Sequence, residues 1–213
     1  MPLVNTQQTY TLKPSRSLKL EGFFIMTTTK VSICNEALNM IGAQSILSFE
    51  DDSDNAHRCA AIYDGTRKSL LRMHPWSCAK KRAQLSPSAT HPCFGYQHAF
   101  PLPRDFERLI SAGTKEFEIE SRHILANTNL INLVYIFDND NEQTWDSLLT
   151  ECMALYMASK LGKPITGSNA ESDSAYQKLQ QLIKQARAIN GQERPSQSFS
   201  DDYDDISLIG VRF

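Results

Sequence analysis

The sequence holds no CxxC pair, no glycine-rich loop of the kind that cradles phosphate, and no apolar run near the roughly 20 residues that a bilayer span needs. Each absence removes a class of function. Without paired cysteines at finger spacing, a structural zinc site loses its usual signature. The nine glycines are isolated, each near a helix end or a turn, so no nucleotide-binding loop can be assembled from them. No GxSxG elbow occurs, and no cysteine has a histidine placed as in a recognisable nucleophile signature. Charge of one sign is lacking too, with 22 basic residues against 24 acidic ones. No global field recruits nucleic acid, and no acidic block marks a disordered tail. Five cysteines (Cys34, Cys59, Cys78, Cys93 and Cys152) are scattered and odd in number. That usage fits reduced, mostly buried thiols made in a cytoplasm.

What is present is organised around residues 55–85, NAHRCAAIYDGTRKSLLRMHPWSCAKKRAQL. Cys59, Tyr63, Thr66, Leu70 and Met73 recur at helical spacing, with Arg58, Asp64, Lys68 and Arg72 on the other side. Pro75 cannot donate a backbone hydrogen bond, and it pushes His74 out of the helical region. Beyond it, residues 76–85 read as a strand. A helix that feeds a sheet through His74, Pro75 and Trp76 is a domain joint, and Trp76 is large enough to anchor it. A chain of 213 residues suits one domain with a sizeable core, or two small lobes.

Around this joint the remaining elements fall into order. Residues 30–41 predict a first helix, capped by Thr28 or Thr29, with Val31, Cys34, Leu38 and Ile41 as its stripe and Gly42 as its stop. It is expected to pair antiparallel with the second helix. Residues 117–120 alternate as a strand, His123, Ile124 and Leu125 continue it, and residues 130–137 form another after a polar turn. Residues 99–106 are too rich in proline for a central strand. Helix returns at Thr144, apolar nearly all round and therefore buried, until Gly162 and Pro164 stop it. A capping box at residues 168–171 opens a last helix that Gly191 ends. The expected fold class is α+β: a helical bundle lobe of about four helices, an inserted small antiparallel β-meander and extended terminal arms. The helical lobe takes residues 26–75 and 144–190, the β-rich insert 76–143 and the C-terminal arm 191–213. Residues 1–25 read either as a flexible arm or as an extension ahead of a true start at Met26, because no secretory apolar segment lies there.

Candidate sites are few. Asp51, Asp52, Asp54 and His57 crowd one helix start but lack the glycine and ligand spacing of a calcium loop. They read as acids favoured by a helix dipole beside a solvated histidine. Cys78, His91, Cys93 and His98 lie close in sequence without matching a zinc pattern. Lys80, Lys81 and Arg82 are the one basic cluster. They either face a phosphate backbone or form the solvated face of an edge strand, where lysine discourages sheet-to-sheet pairing. In the C-terminal arm, Phe199, Tyr203, Ile206, Leu208 and Phe213 are interspersed with Asp201, Asp202, Asp204 and Asp205. So many apolar residues in an aperiodic tail want a partner surface. No catalytic residue, cofactor or metal site is expected. The balance points away from catalysis and toward a protein whose job is contact.

Two stretches carry a resemblance: VSICNEALNMIGAQSILSFEDDSDNAHRCAAIYDGTRKSLLRMHPWSCAKKRAQL and the later AFPLPRDFERL. Their order resembles the tail tubular protein A family, the head-to-tail adaptors of short-tailed phages. Members similarly open with a short helix ending in an Ile-Gly step. A loop with serine and acids follows, then a long helix with a central tyrosine that ends before a tryptophan, and then a strand. The LPxDFxRL phrase at residues 102–109 is a second landmark, and the likeness runs over residues 30–213. The resemblance implies a dodecameric ring between the portal protein and a tail nozzle similar to tail tubular protein B. DNA would pass through the bore without sequence specificity, in a virion tail with no membrane part. A DNA-binding protein using Lys80, Lys81 and Arg82, and a tail-associated polysaccharide hydrolase, are the alternative readings.

Overall fold

The computed structural model describes residues 28–192. Within them the chain is α+β, with four helices and two three-stranded antiparallel sheets. The expectations for residues 1–25, for Met26 and for the C-terminal arm, with Phe199, Tyr203, Ile206, Leu208 and Phe213, lie outside the described residues.

Helix α1 (Lys30–Met40) opens on a reciprocal box. The Thr29 hydroxyl accepts the Ser32 amide at 3.1 Å, and the Ser32 hydroxyl accepts the Thr29 amide at 2.9 Å. Gly42, at φ +70°, turns the chain away in a conformation that disfavours any side chain. Helix α2 (Asp54–Met73) is capped by Ser53, and α3 (Ser147–Thr166) by Asp146, whose carboxylate accepts the Leu149 amide at 2.7 Å. α3 is the hub, because α1, α2 and α4 (Ala170–Gln192) all pack on it. Leu149, Cys152, Met153, Ala154, Met157 and Ala158 are fully buried there, as an all-round apolar pattern requires. α1 and α2 lie against α3 more than against each other, and they meet through the thiols of Cys34 and Cys59. The expected helix pair is thus a three-helix arrangement centred on α3.

Two stop signals are overridden by packing. α3 runs through Gly162 and Pro164 and closes only at Gly167, which takes φ +73°. A Cβ at Gly162 would lie 2.4 Å from the Ser172 hydroxyl, so glycine there serves the close approach of α4. The Lys163 amide donates to that same hydroxyl at 2.9 Å. Pro164 lies inside the last turn, so the helix runs on past it at the loss of one backbone hydrogen bond. At the start of α4 the Ser168 hydroxyl accepts the Ala170 amide rather than one three residues on, and the helix continues past Gly191 to Gln192.

The β region also differs from a meander. Sheet one has the order β1 (Lys80–Leu85), β6 (Ile131–Phe137), β3 (Phe106–Ser111), and sheet two the order β2 (His98–Pro101), β5 (His123–Ala126), β4 (Phe117–Glu120). Only β4 and β5 are a consecutive hairpin. Ser121 and Arg122 both take positive φ, 44° and 63°, making the two-residue turn that splits the expected continuous strand in two. A 3-10 turn over Ser77–Ala79 delays β1 to Lys80, and β3, which begins at the end of the proline-rich residues 99–106, is a strand that the pattern did not announce. β2 keeps its proline at an edge.

Two apolar cores result, and β6 belongs to both. Ile131, Leu133 and Tyr135 point into a small core between the sheets with Phe100, Ile124 and Ala126. Ile136, on the opposite face, enters the helical core beside Trp76 and Trp145. A strand's period of two thus joins the lobes through one element. No helix among the described residues is long and apolar enough to cross a membrane.

Candidate functional site

The joint at His74, Pro75 and Trp76 is built from the end of a helix. Because His74 adopts an extended conformation (φ −142°, ψ 144°), the carbonyls of the last α2 turn lose their intrahelical donors. The indole of Trp76, itself 1 % exposed, reaches back to the Leu70 carbonyl at 3.2 Å. The Arg108 guanidinium, from β3, donates to the Arg72 carbonyl at 2.9 Å, and Arg72 returns a bond to the Glu107 carbonyl. The helix end is therefore capped by the sheet. The His74 ring meets Trp76 edge-on at 4.7 Å. Burial, with Arg187, Lys80 and Arg108 nearby, pushes its pKa down to about 4.

A charged network runs alongside. Arg67 is 4 % exposed, and its guanidinium grips Asp138 with two bonds, Nε to Oδ1 at 2.9 Å and Nη2 to Oδ2 at 3.2 Å. Its Nη1 bonds Asp64 at 2.6 Å, and Lys68 stands 3.4 Å from Asp138. Burial works against the Arg67 charge, but Asp138 and Asp64 outweigh it and raise the pKa. Asp138 follows β6, so this bidentate pair fastens α2 to the sheet. Deeper in, the Tyr63 hydroxyl donates to the Glu142 carboxylate at 3.1 Å. Asn139 binds the Cys78 carbonyl at 3.0 Å, and its own carbonyl accepts the Trp145 indole at 3.2 Å.

The LPxDFxRL phrase is part of the same fastening. Asp105 accepts Lys81 at 2.7 Å and the Tyr135 hydroxyl at 3.1 Å. Although burial opposes it, those partners hold its carboxyl below the usual range, and burial with Asp105 moves the Tyr135 phenol up to about 12. Phe106 stacks on Tyr135, with centroids 5.8 Å apart.

This geometry divides the basic cluster. Side chains alternate along β1, so Lys81 turns to Asp105 and sits 3.8 Å over the Phe137 ring, while Lys80 and Arg82 face the other way. Lys68 and Arg72, upstream on α2, are engaged with Glu107 and Asp138. Arg82 is exposed and makes no ion pair among the described residues.

The other candidates also separate. The Asp51 carboxylate accepts the Leu47 and Ser48 amides at 2.6 and 3.0 Å, bonds that lower its pKa, so it shapes the loop before α2. Asp54 begins α2, and Asp52 and His57 are exposed. The Cys78 thiol lies 3.7 Å from Asp146, and burial raises its pKa. His91 and His98 pair ring to ring at 5.8 Å, and Cys93 is exposed. Among the described residues no group of three or more histidine, cysteine or acidic side chains is placed to hold a metal ion.

Two features escape sequence reasoning. Leu47, in the loop between α1 and α2, is 90 % exposed, and Phe94, in the loop between β1 and β2, is 88 % exposed. Beside Phe94, residues 88–96 and the outer face of sheet two enclose a groove of about 740 Å³ bordered by Glu118, Glu120 and His123. Loops have no periodicity, so nothing in the pattern marked these side chains as exposed. No protein-family model matches the chain, and comparison with curated proteins finds no match.

Proposed function

We propose that the chain is a structural subunit of a phage tail, a head-to-tail adaptor that joins a portal protein to a tail nozzle and lines part of the DNA ejection channel. It acts by contact and not by catalysis. The reading starts from the ordered resemblance of residues 30–213 to the tail tubular protein A family. The observation that supports it best is the double fastening of the two lobes, by the Arg67–Asp138 pair and by the shared strand β6. A ring that bears internal DNA pressure needs subunits whose halves do not hinge. A ring also closes through two different faces of each subunit. An almost fully exposed leucine on the helical lobe and phenylalanine on the β lobe are suited to two such faces.

The near-neutral composition suits a bore through which DNA must slide, since many phosphate contacts would hold it. The DNA-binding alternative draws less support, because Lys81 is committed to Asp105 and Lys68 to Asp138 and Glu107. That alternative expects steeply salt-dependent binding of duplex DNA by the isolated subunit. The C-terminal arm is assigned to docking through Phe199, Tyr203, Ile206, Leu208 and Phe213. Deleting residues 198–213 should abolish portal binding while the thermal melt of the remaining chain stays in place; undiminished binding sinks that assignment.

A further inference from the structure

Four strands form the edges of the two sheets, and two of them are covered. β3 lies against α2, with Arg72 bonded to its Glu107 carbonyl. β2 is covered by its preceding loop, whose Ser88 amide donates to the Ala99 carbonyl at 2.7 Å. On the outer side of β4, and of Lys81, Arg82 and Ala83 in β1, the backbone makes no hydrogen bond with another described residue. An edge left open offers its amides and carbonyls to another chain.

The two open edges complement each other. β1 reads Lys80, Lys81, Arg82, Ala83, and β4 reads Phe117, Glu118, Ile119, Glu120. We propose that β1 of one copy pairs antiparallel with β4 of a second copy, with Arg82 opposite Glu118 and Lys80 opposite Glu120. The register follows from the period of two, because directly opposed residues share a face. Arg82 is on the outer face with Gln84, which bonds Asn132 at 3.1 Å. Glu118 and Glu120 are on the outer face of sheet two, where they border the groove. The inner faces match in the same register. Ala83 meets Phe117, both of which already border the small core, and the Lys81 stem covers Ile119, which is 43 % exposed in the isolated chain. A shift by one residue would set charge against the apolar face. The contact joins unlike edges, so it is heterologous and propagates to a ring or a filament.

This inference rests on the proposed ring only for its biological setting, and its test separates the two. Association of the full chain is measured by sedimentation equilibrium at low salt, up to about 1 mM, where even a weak contact is populated. Arg82→Glu and Glu118→Arg each replace an attraction by a repulsion and should weaken association about tenfold. The double variant restores the pair and should recover the wild-type constant. Both positions are exposed, so the melts of all variants should coincide. A wild-type chain that stays monomeric, or single reversals without effect, overturns the proposal. Loss of the edge contact with portal binding intact would leave the adaptor reading standing. Swap-dependent association without portal binding would do the reverse.

Discussion

The buried Arg67–Asp138 pair predicts unequal losses for its two halves, where simple contact counting would make them equal. Asp138→Ala removes both carboxylate oxygens and leaves Nε and Nη2 of a guanidinium that is 4 % exposed without partners. Asp64 holds only Nη1, and its own side chain is 69 % exposed. An uncompensated buried charge costs about 3–5 kcal/mol, and the remaining Asp64 bond places the loss near the lower end, about 3 kcal/mol. Arg67→Met removes charge and donors together and refills the aliphatic volume. The orphaned Asp138 keeps Lys68 at 3.4 Å and some contact with water, so this variant should lose only about 1 kcal/mol. In the double variant that combines Arg67→Met with Asp138→Ala the loss should stay near that of Arg67→Met alone, giving a coupling of about 3 kcal/mol. Urea titrations followed by the fluorescence of Trp76 and Trp145, both in the helical core, read these values directly. The reasoning fails if the two single variants cost the same, or if their losses simply add.

Three further expectations follow from the same contacts. His74 is buried with its pKa lowered to about 4 from an ordinary 6.5. The unfolded chain therefore binds its proton first. The resulting stability is complete above pH 6.5, falls as the pH drops toward 4, and amounts to a loss of about 2 kcal/mol by pH 5. His74→Gln should show a shallower decline between pH 7 and 5 by that amount, and parallel curves would contradict the assignment. Gly162→Ala, which in an open helix would stabilise, should here destabilise by about 1–3 kcal/mol, because its Cβ would meet Ser172; a raised melting temperature would show that α4 yields freely. With an aromatic disulfide reagent, the exposed Cys93 thiol should react at once and half-buried Cys78 more slowly, while Cys34, Cys59 and Cys152 wait for unfolding. Rapid loss of three or more thiols in the native state would contradict the burial pattern.

The helical parts were legible because their signals are local. Thr29 caps α1, Gly42 leaves it, and Pro75 ends α2, each for reasons contained in a few residues. The all-round apolar pattern of α3 marked it as a buried helix, and the other three helices pack on it. The misreadings came where distant contacts outweighed local ones. Gly162 and Pro164 look like a stop, but Gly162 answers to Ser172 in the next helix. Strand β3 was not expected because it lacks a clean alternation, and its pairing with β6 spans residues far apart in sequence. Ser121 and Arg122 carry positive φ without a glycine or asparagine to announce the turn. At the site, Trp76 as an anchor was readable from its size beside Pro75. The partner of Arg67 was not, because a bidentate pair between α2 and the end of β6 leaves no spacing rule. The basic cluster divided for a reason the sequence does contain: adjacent strand residues face opposite ways.

The central claim is that this chain assembles with a portal protein as an adaptor. The most direct test is the molar mass of the purified full chain by light scattering behind a sizing column, first alone and then mixed with its cognate portal protein. The adaptor account predicts a large complex of defined mass with the portal, whatever the state of the free chain. A monomer or dimer whose mass ignores the portal would contradict it.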